Sequence, residues 1–192
     1  MIPLNAPNLV TFSRILLIPV IIAIYYLPDS WLSADGKNVT ATAVFIFAGI
    51  TDWLDGYLAR RLNQMSAFGA FLDPVADKLI VVAALLALLY LNRVDVIVAL
   101  IIVGREIAIS ALREWMAKIG KSRNVAVNFL GKVKTASQMV AILLLLYHAV
   151  LFGVLDTQNI GTLLIYVAAV LTLWSMAYYL KMALPLVLGR GE

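Results

Sequence analysis

Apolar residues come in blocks along this chain, separated by short polar breaks. Six windows of mostly apolar sequence fall at 9–28, 39–58, 73–91, 94–112, 136–154 and 160–180. Each is about 20 residues, the length a helix needs to cross roughly 30 Å of hydrocarbon. The third is the clearest, because 79–91 is an unbroken apolar run, whereas the second and fourth carry charges near one end. The breaks at 29–38, 92–93 and 155–159 are short, and the connection at 113–135 is longer and basic. The pattern predicts an all-α, polytopic integral membrane protein with six transmembrane helices, a single domain over 1–192. Arg14 before the apolar run 15–27 imitates a signal peptide, but five further spans follow and the preceding polar residues are not a basic n-region, which favours a first span.

Composition agrees and narrows the class. Hydrophobic residues make up 63% of the chain and charged residues 14%, too few charges to cover a water-soluble surface. The absence of cysteine excludes disulfide frameworks, thiolate metal sites and cysteine nucleophiles. The single histidine, His148, excludes a histidine-rich metal cluster.

The distribution of the 15 lysines and arginines sets the orientation. With six helices, 13 fall on the side shared by both termini, and only Lys37 and Arg93 fall on the other. Both termini and the basic loops are therefore expected in the cytoplasm. The net charge of +4 reflects topology and attraction to anionic lipid, and no motif supports nucleic-acid binding. Tyr25, Tyr26, Trp31 and Tyr90 near outer ends, with Trp115, Trp174, Tyr178 and Tyr179 near inner ends, are placed as interfacial aromatics.

Four of the eleven acidic residues lie within 26 positions: Asp52, Asp55, Asp73 and Asp77. Residues three or four apart share a helix face, so each pair points one way from its helix. The short connection makes the second and third helices antiparallel neighbours, and the four carboxylates can converge at the inner membrane face. Aspartates in a span cost about 2.5–3.5 kcal/mol each and repel one another unless compensated. Arg60, Arg61 and Lys78 are too few and too near water to compensate all of them. Two divalent cations would, and an all-oxygen donor set suits Mg²⁺ or Mn²⁺. Structural readings of the same residues stand beside this one. Asp73 before Pro74 fits a helix N-cap followed by a first-turn proline, and Asp52 and Asp55 fit a solvated helix end paired with Arg60.

The stretch Asp52–Asp77 reads Asp-x2-Asp-Gly-x2-Ala-Arg-x8-Gly-x3-Asp-x3-Asp. It resembles the motif of the CDP-alcohol phosphotransferase family without a departure. Asn5 to Arg14, Gly104-Arg105-Glu106-Ile107, Ser110 to Arg113 and Gly131 to Thr135 resemble the bacterial members that make phosphatidylglycerophosphate. The resemblance implies a six-helix homodimer of the bacterial inner membrane, with its active site facing the cytoplasm. It also implies transfer of the phosphatidyl group from CDP-diacylglycerol to glycerol 3-phosphate, with release of CMP. Asp52, Asp55, Asp73 and Asp77 would hold the two cations, Asp77 doubling as general base. Asp55, Gly56, Ala59, Arg60 and Gly69 would line the CDP site, Arg60 meeting the pyrophosphate.

A dianionic acceptor needs cations beyond the metals, and arginine forks and lysine point charges both suit phosphate. Arg105, Arg113, Lys132 and Lys134 are the candidates, against an ordinary role as cytoplasmic-side charges. Asn8, Thr11 and Arg14, about one turn apart on the first helix, are a possible further lining of the same pocket. His148, some 12 residues into the fifth window, is expected in an interhelical hydrogen bond or at the outer interface. Gln138 is either helix–helix glue or pocket lining. A cation transporter would spread its carboxylates through the membrane depth, whereas these cluster at one end.

Overall fold

A computed structural model describes residues 6–61, 67–119, 129–151 and 153–187. Among these residues the chain forms helices α1 (Ala6–Tyr26), α2 (Ala34–Arg61), α3 (Ala67–Tyr90), α4 (Val96–Lys118), α5 (Phe129–Tyr147) and α6 (Thr157–Val187). A short antiparallel hairpin, β1 (Val150–Leu151) with β2 (Leu155–Asp156), separates the last two helices, Val150 facing Asp156 and Leu151 facing Leu155.

Polar residues in the breaks start and stop these helices. Asp95 is extended (φ −73, ψ 143) and its Oδ1 accepts from the Ile97 N–H at 2.7 Å, capping α4. Asp156 does the same for α6, accepting from the Gln158 N–H at 2.9 Å. Ser33 Oγ accepts from the Gly36 N–H at 3.2 Å before α2. At the end of α5 the last carbonyls have no intrahelical donor. Arg93, from the break between α3 and α4, donates from Nη1 to the Leu145 and Leu146 carbonyls at 3.0 and 3.2 Å. Its Nη2 donates to Asn38 Oδ1 at 2.9 Å, so one guanidinium ties the start of α2 to the end of α5.

Two predicted boundaries move. The third apolar window begins at Asp73, but α3 starts at Ala67 and carries Pro74 inside it. Asp73 is therefore not an N-cap. The fifth apolar window runs to Val154, but α5 stops at Tyr147. His148 lies just beyond it with φ 46, its N–H donating to the Leu144 carbonyl at 3.1 Å. Val150, Leu151 and Leu155 are apolar enough to prolong the window, yet they form the hairpin, turned with the help of Gly153 at φ 70. Thr157 Oγ1 fastens it by donating to the Ala149 carbonyl at 2.8 Å and accepting from the Ala149 N–H at 2.9 Å.

The core collects Ile21, Phe45, Leu85, Leu88, Ile102, Ile142 and Leu145, with Ala41, Ala48, Ala84 and Ala141 where helices approach closely. α5 and α6 pack along each other, and Gly161 lets them touch: a Cβ there would lie 2.8 Å from Leu145 Cγ. The helices α2 and α3 do meet, but less extensively than expected of neighbours, because α1 packs against both.

The surface is apolar as well. Leu16, Ile46, Leu86, Leu100, Val140 and Val170, one from each helix, are all exposed. Among the described residues Thr157–Lys181 is the one helix long and apolar enough to cross a bilayer by length and composition, while Val10–Tyr26 and Val133–Tyr147 are shorter apolar helices. Of the aromatics assigned to interfaces, Tyr26, Trp31, Tyr90, Trp115, Trp174 and Tyr178 are exposed. Tyr25 and Tyr179 are instead buried, because the former packs beside Arg93 and the latter lines the cavity described next.

Candidate active site

Thr11 and Arg14 lie three residues apart on α1, and the position of α1 against both α2 and α3 turns that face toward the aspartates. Thr11 Oγ1 donates to Asp73 Oδ1 at 2.6 Å. Arg14 donates from Nη1 to Asp77 Oδ1 and sits 3.2 Å from Asp52 Oδ1. The Arg14 side chain is fully buried, whereas the two carboxylates it bridges are 49% and 43% exposed. One cation from the first helix thus meets acids from the second and third. In the sequence the cations beside the aspartates are Arg60, Arg61 and Lys78, and Arg14 is no more than a possible pocket residue. Its partner Asp77 is 63 residues away, so no local spacing reveals the pair.

Asp52 and Asp77 open into a cavity of about 520 Å³, within the usual range for small-molecule sites. Arg14, Lys78, Arg105, Glu106, Thr135, Gln138 and Tyr179 contribute polar groups to its lining, and Phe45, Ala48, Gly49, Ile80, Val81 and Met139 an apolar wall. Glu106 organises the basic part. Its Oε1 accepts from Arg105 Nη1 at 2.7 Å and from Lys134 Nζ at 2.6 Å. Lys134 is 1% exposed, and a lysine buried to that degree needs a carboxylate partner. Helix α5 brings Lys134 to α4 through this contact.

The predicted residues fall into three groups. Asp52, Asp77, Arg14 and Arg105 share the cavity; Lys134 is joined to it through Glu106. Asp73 bonds to Thr11, and Gly69 is buried on α3; neither is part of the cavity lining among the described residues. Asn8, Asp55, Gly56, Ala59, Arg60, Arg113 and Lys132 lie on α1, α2, α4 and α5, but their side chains are outside the described residues.

Glu106, Gln138, Lys78 and Tyr179 are cavity residues that the sequence did not single out as site residues. Glu106 stands in the stretch Gly104-Arg105-Glu106-Ile107 with nothing local to mark its partner on α5, and Tyr179 lies on a helix apolar all round, which hides its facing side. Gln138, for which helix glue and pocket lining were both open, lines the pocket.

Among the described residues no three acidic or histidine side chains already form a metal cage, and Asp55 is outside that set. The donors nevertheless fit a hard cation. They are all oxygens, they come from two helices, and two of them already share one cationic group beside an open cavity.

Residues 4–174 match the CDP-alcohol phosphatidyltransferase family. Proteins of Shigella flexneri serotype 5b and Escherichia coli K12 are each 46% identical to it over 181 residues, covering 93% of this chain and 94% of the relative. A Salmonella typhimurium protein matches to the same extent. All three carry the name CDP-diacylglycerol--glycerol-3-phosphate 3-phosphatidyltransferase. With a family match over most of its length and relatives of that similarity, the chain belongs to the CDP-alcohol phosphatidyltransferase family.

Proposed function

We propose that this chain transfers the phosphatidyl group of CDP-diacylglycerol to the primary C1 hydroxyl of sn-glycerol 3-phosphate, giving phosphatidylglycerophosphate and CMP. The observation that carries the reading is one cavity holding two motif carboxylates, Asp52 and Asp77, together with the Arg105–Glu106 pair that Lys134 joins. Carboxylates can hold cations and take up a proton, and the basic group suits an acceptor that is itself a phosphate. The names of the relatives support the same donor and acceptor.

Asp52, Asp55, Asp73 and Asp77 hold two divalent cations, Mg²⁺ or Mn²⁺, which when bound supply charge neutralisation at the diphosphate. Gly56, Ala59 and Gly69 leave room for the CDP moiety, Asp55 borders it, and Arg60 pairs with the pyrophosphate. Arg105 and Lys134, with Arg113 and Lys132, hold the acceptor phosphate. Asn8 joins Thr11 and Arg14 along the pocket wall. Asp77 takes the proton of the C1 hydroxyl, the C1 oxygen of glycerol 3-phosphate bonds to the lipid-side phosphorus, and the bond from that phosphorus to the CMP oxygen breaks. Arg60 offsets the charge of the departing CMP.

The protein works as a homodimer in a bacterial inner membrane, with six spans, both termini in the cytoplasm and the site at that face. The exposed apolar residues on every helix and the 13 cations on one side against 2 on the other support this placement.

The test is CMP release by purified protein in detergent with CDP-diacylglycerol and Mg²⁺, comparing glycerol 3-phosphate, inositol phosphate and serine. CMP is expected with glycerol 3-phosphate alone and is lost on chelation. Asp77→Asn lowers turnover by about 10²–10⁴-fold, the usual contribution of a general base; near-normal turnover in that variant would remove Asp77 from the role. CMP with another acceptor sinks the acceptor assignment.

A further inference from the structure

On the α4–α5 side of the cavity, Arg105 at Nε and Gln138 at Oε1 each carry a buried polar atom with no hydrogen-bond partner. Both residues are more than nine-tenths buried. Buried polar atoms are nearly always paired, so unpaired ones in a cavity point to a ligand that completes them. The two atoms are complementary in kind. Arg105 Nε is a donor and takes an acceptor oxygen, such as a phosphate oxygen; Gln138 Oε1 is an acceptor and takes a donor.

Their placement fits one small molecule. Gln138 is one helical turn beyond Lys134 on α5, and Lys134 is joined through Glu106 to Arg105 on α4. Asp77 lines the same cavity. An occupant that meets Asp77 and Arg105 has a lone acceptor in the same lining, which rewards a hydroxyl carried besides its reacting group and its phosphate.

Resting on the function proposed above, we infer that Gln138 determines acceptor specificity by accepting a hydrogen bond from the C2 hydroxyl of glycerol 3-phosphate, the hydroxyl that does not react. Arg105 Nε meanwhile donates to the acceptor's phosphate. The site then selects a vicinal hydroxyl in addition to a phosphate. An acceptor with the same length and charge but no C2 hydroxyl leaves Gln138 unpaired.

The experiment compares kcat/KM for glycerol 3-phosphate and for 3-hydroxypropyl phosphate, which lacks only that hydroxyl, in the wild-type protein and in Gln138→Met and Gln138→Glu. Wild type is expected to prefer glycerol 3-phosphate by about tenfold or more, the worth of a buried hydrogen bond. In Gln138→Met the preference falls to about one, through loss on glycerol 3-phosphate alone, with the KM for CDP-diacylglycerol unmoved. Gln138→Glu keeps an acceptor oxygen at the same place in a side chain of the same size, so it retains the preference. It carries the test if the methionine variant does not fold.

A preference that survives in Gln138→Met, or activity on both acceptors falling together, overturns the inference, since the second is what a purely structural glutamine would give. A preference lost in Gln138→Glu along with the rest also overturns it. Wild-type protein that turns over neither acceptor overturns the proposed function itself, a result distinct from any of these.

Discussion

Arg14 exposes no surface, and its two carboxylate partners are about half exposed. A buried guanidinium stripped of its partners retains its desolvation penalty with nothing to offset it. The reverse also holds, since Asp52 and Asp77 without Arg14 repel each other. Arg14→Gln should therefore lower the melting temperature, and more in chelator than in Mg²⁺, because added divalent cations replace the missing positive charge between the carboxylates. Equal losses in both conditions would mean that Arg14 and the cations act on different groups. The fixed spacing of Asp52, Asp55, Asp73 and Asp77 exposes the acidic half of this site in the sequence. The basic half is tertiary. The hydrogen bond from Lys134 to Glu106 spans 28 residues and that from Arg14 to Asp77 spans 63, and nothing local marks either pairing.

Helices in this chain are recognisable from their apolar blocks, and all six predicted windows lie largely on the six helices found among the described residues. The errors are at ends where apolarity and secondary structure part company. Val150 to Leu155 stays apolar after the helix has stopped, and Asp73-Pro74 imitates a helix start while lying within one. Close packing is equally invisible in a hydropathy pattern. Gly49 and Gly161 look alike in sequence, yet a Cβ at Gly49 meets nothing within 4 Å and one at Gly161 meets Leu145 at 2.8 Å. Gly161→Ala should cost about 1–3 kcal/mol by forcing α5 and α6 apart. Gly49→Ala should be neutral or slightly stabilising, since alanine is the better helix former by about 1 kcal/mol. Denaturation of both variants in the same detergent checks the pair, and a neutral Gly161→Ala would place the true α5–α6 contact elsewhere.

At the scale of the whole molecule, apolar residues occupy both the core and the exterior, as expected where lipid is the solvent. The opposite ends of the bundle differ in chemistry. Arg93 fastens the end near Asn38 and Leu145 with neutral acceptors, whereas the cavity end concentrates carboxylates and cations. The native chain has no cysteine, so single-cysteine variants report orientation without background. Trp31, exposed between α1 and α2, and Lys118, exposed at the end of α4, lie at opposite ends of the bundle. A membrane-impermeant thiol reagent should modify Trp31→Cys in intact spheroplasts, and Lys118→Cys only after lysis. The opposite pattern would invert the proposed topology.

The counter-ion for the aspartates lies on α1, ahead of the helices that carry them. In the proposed six-span topology Arg14 leaves the ribosome before Asp52 and Asp77, so each acid entering the bilayer meets a cation that is already there. A circular permutant that moves α1 behind α6 would keep every native contact in the finished fold. It would also send α2 and α3 into lipid with their carboxylates unmatched until the last helix arrived. On the proposed topology the order of segments along the chain serves membrane insertion, separately from the stability of what is finally built.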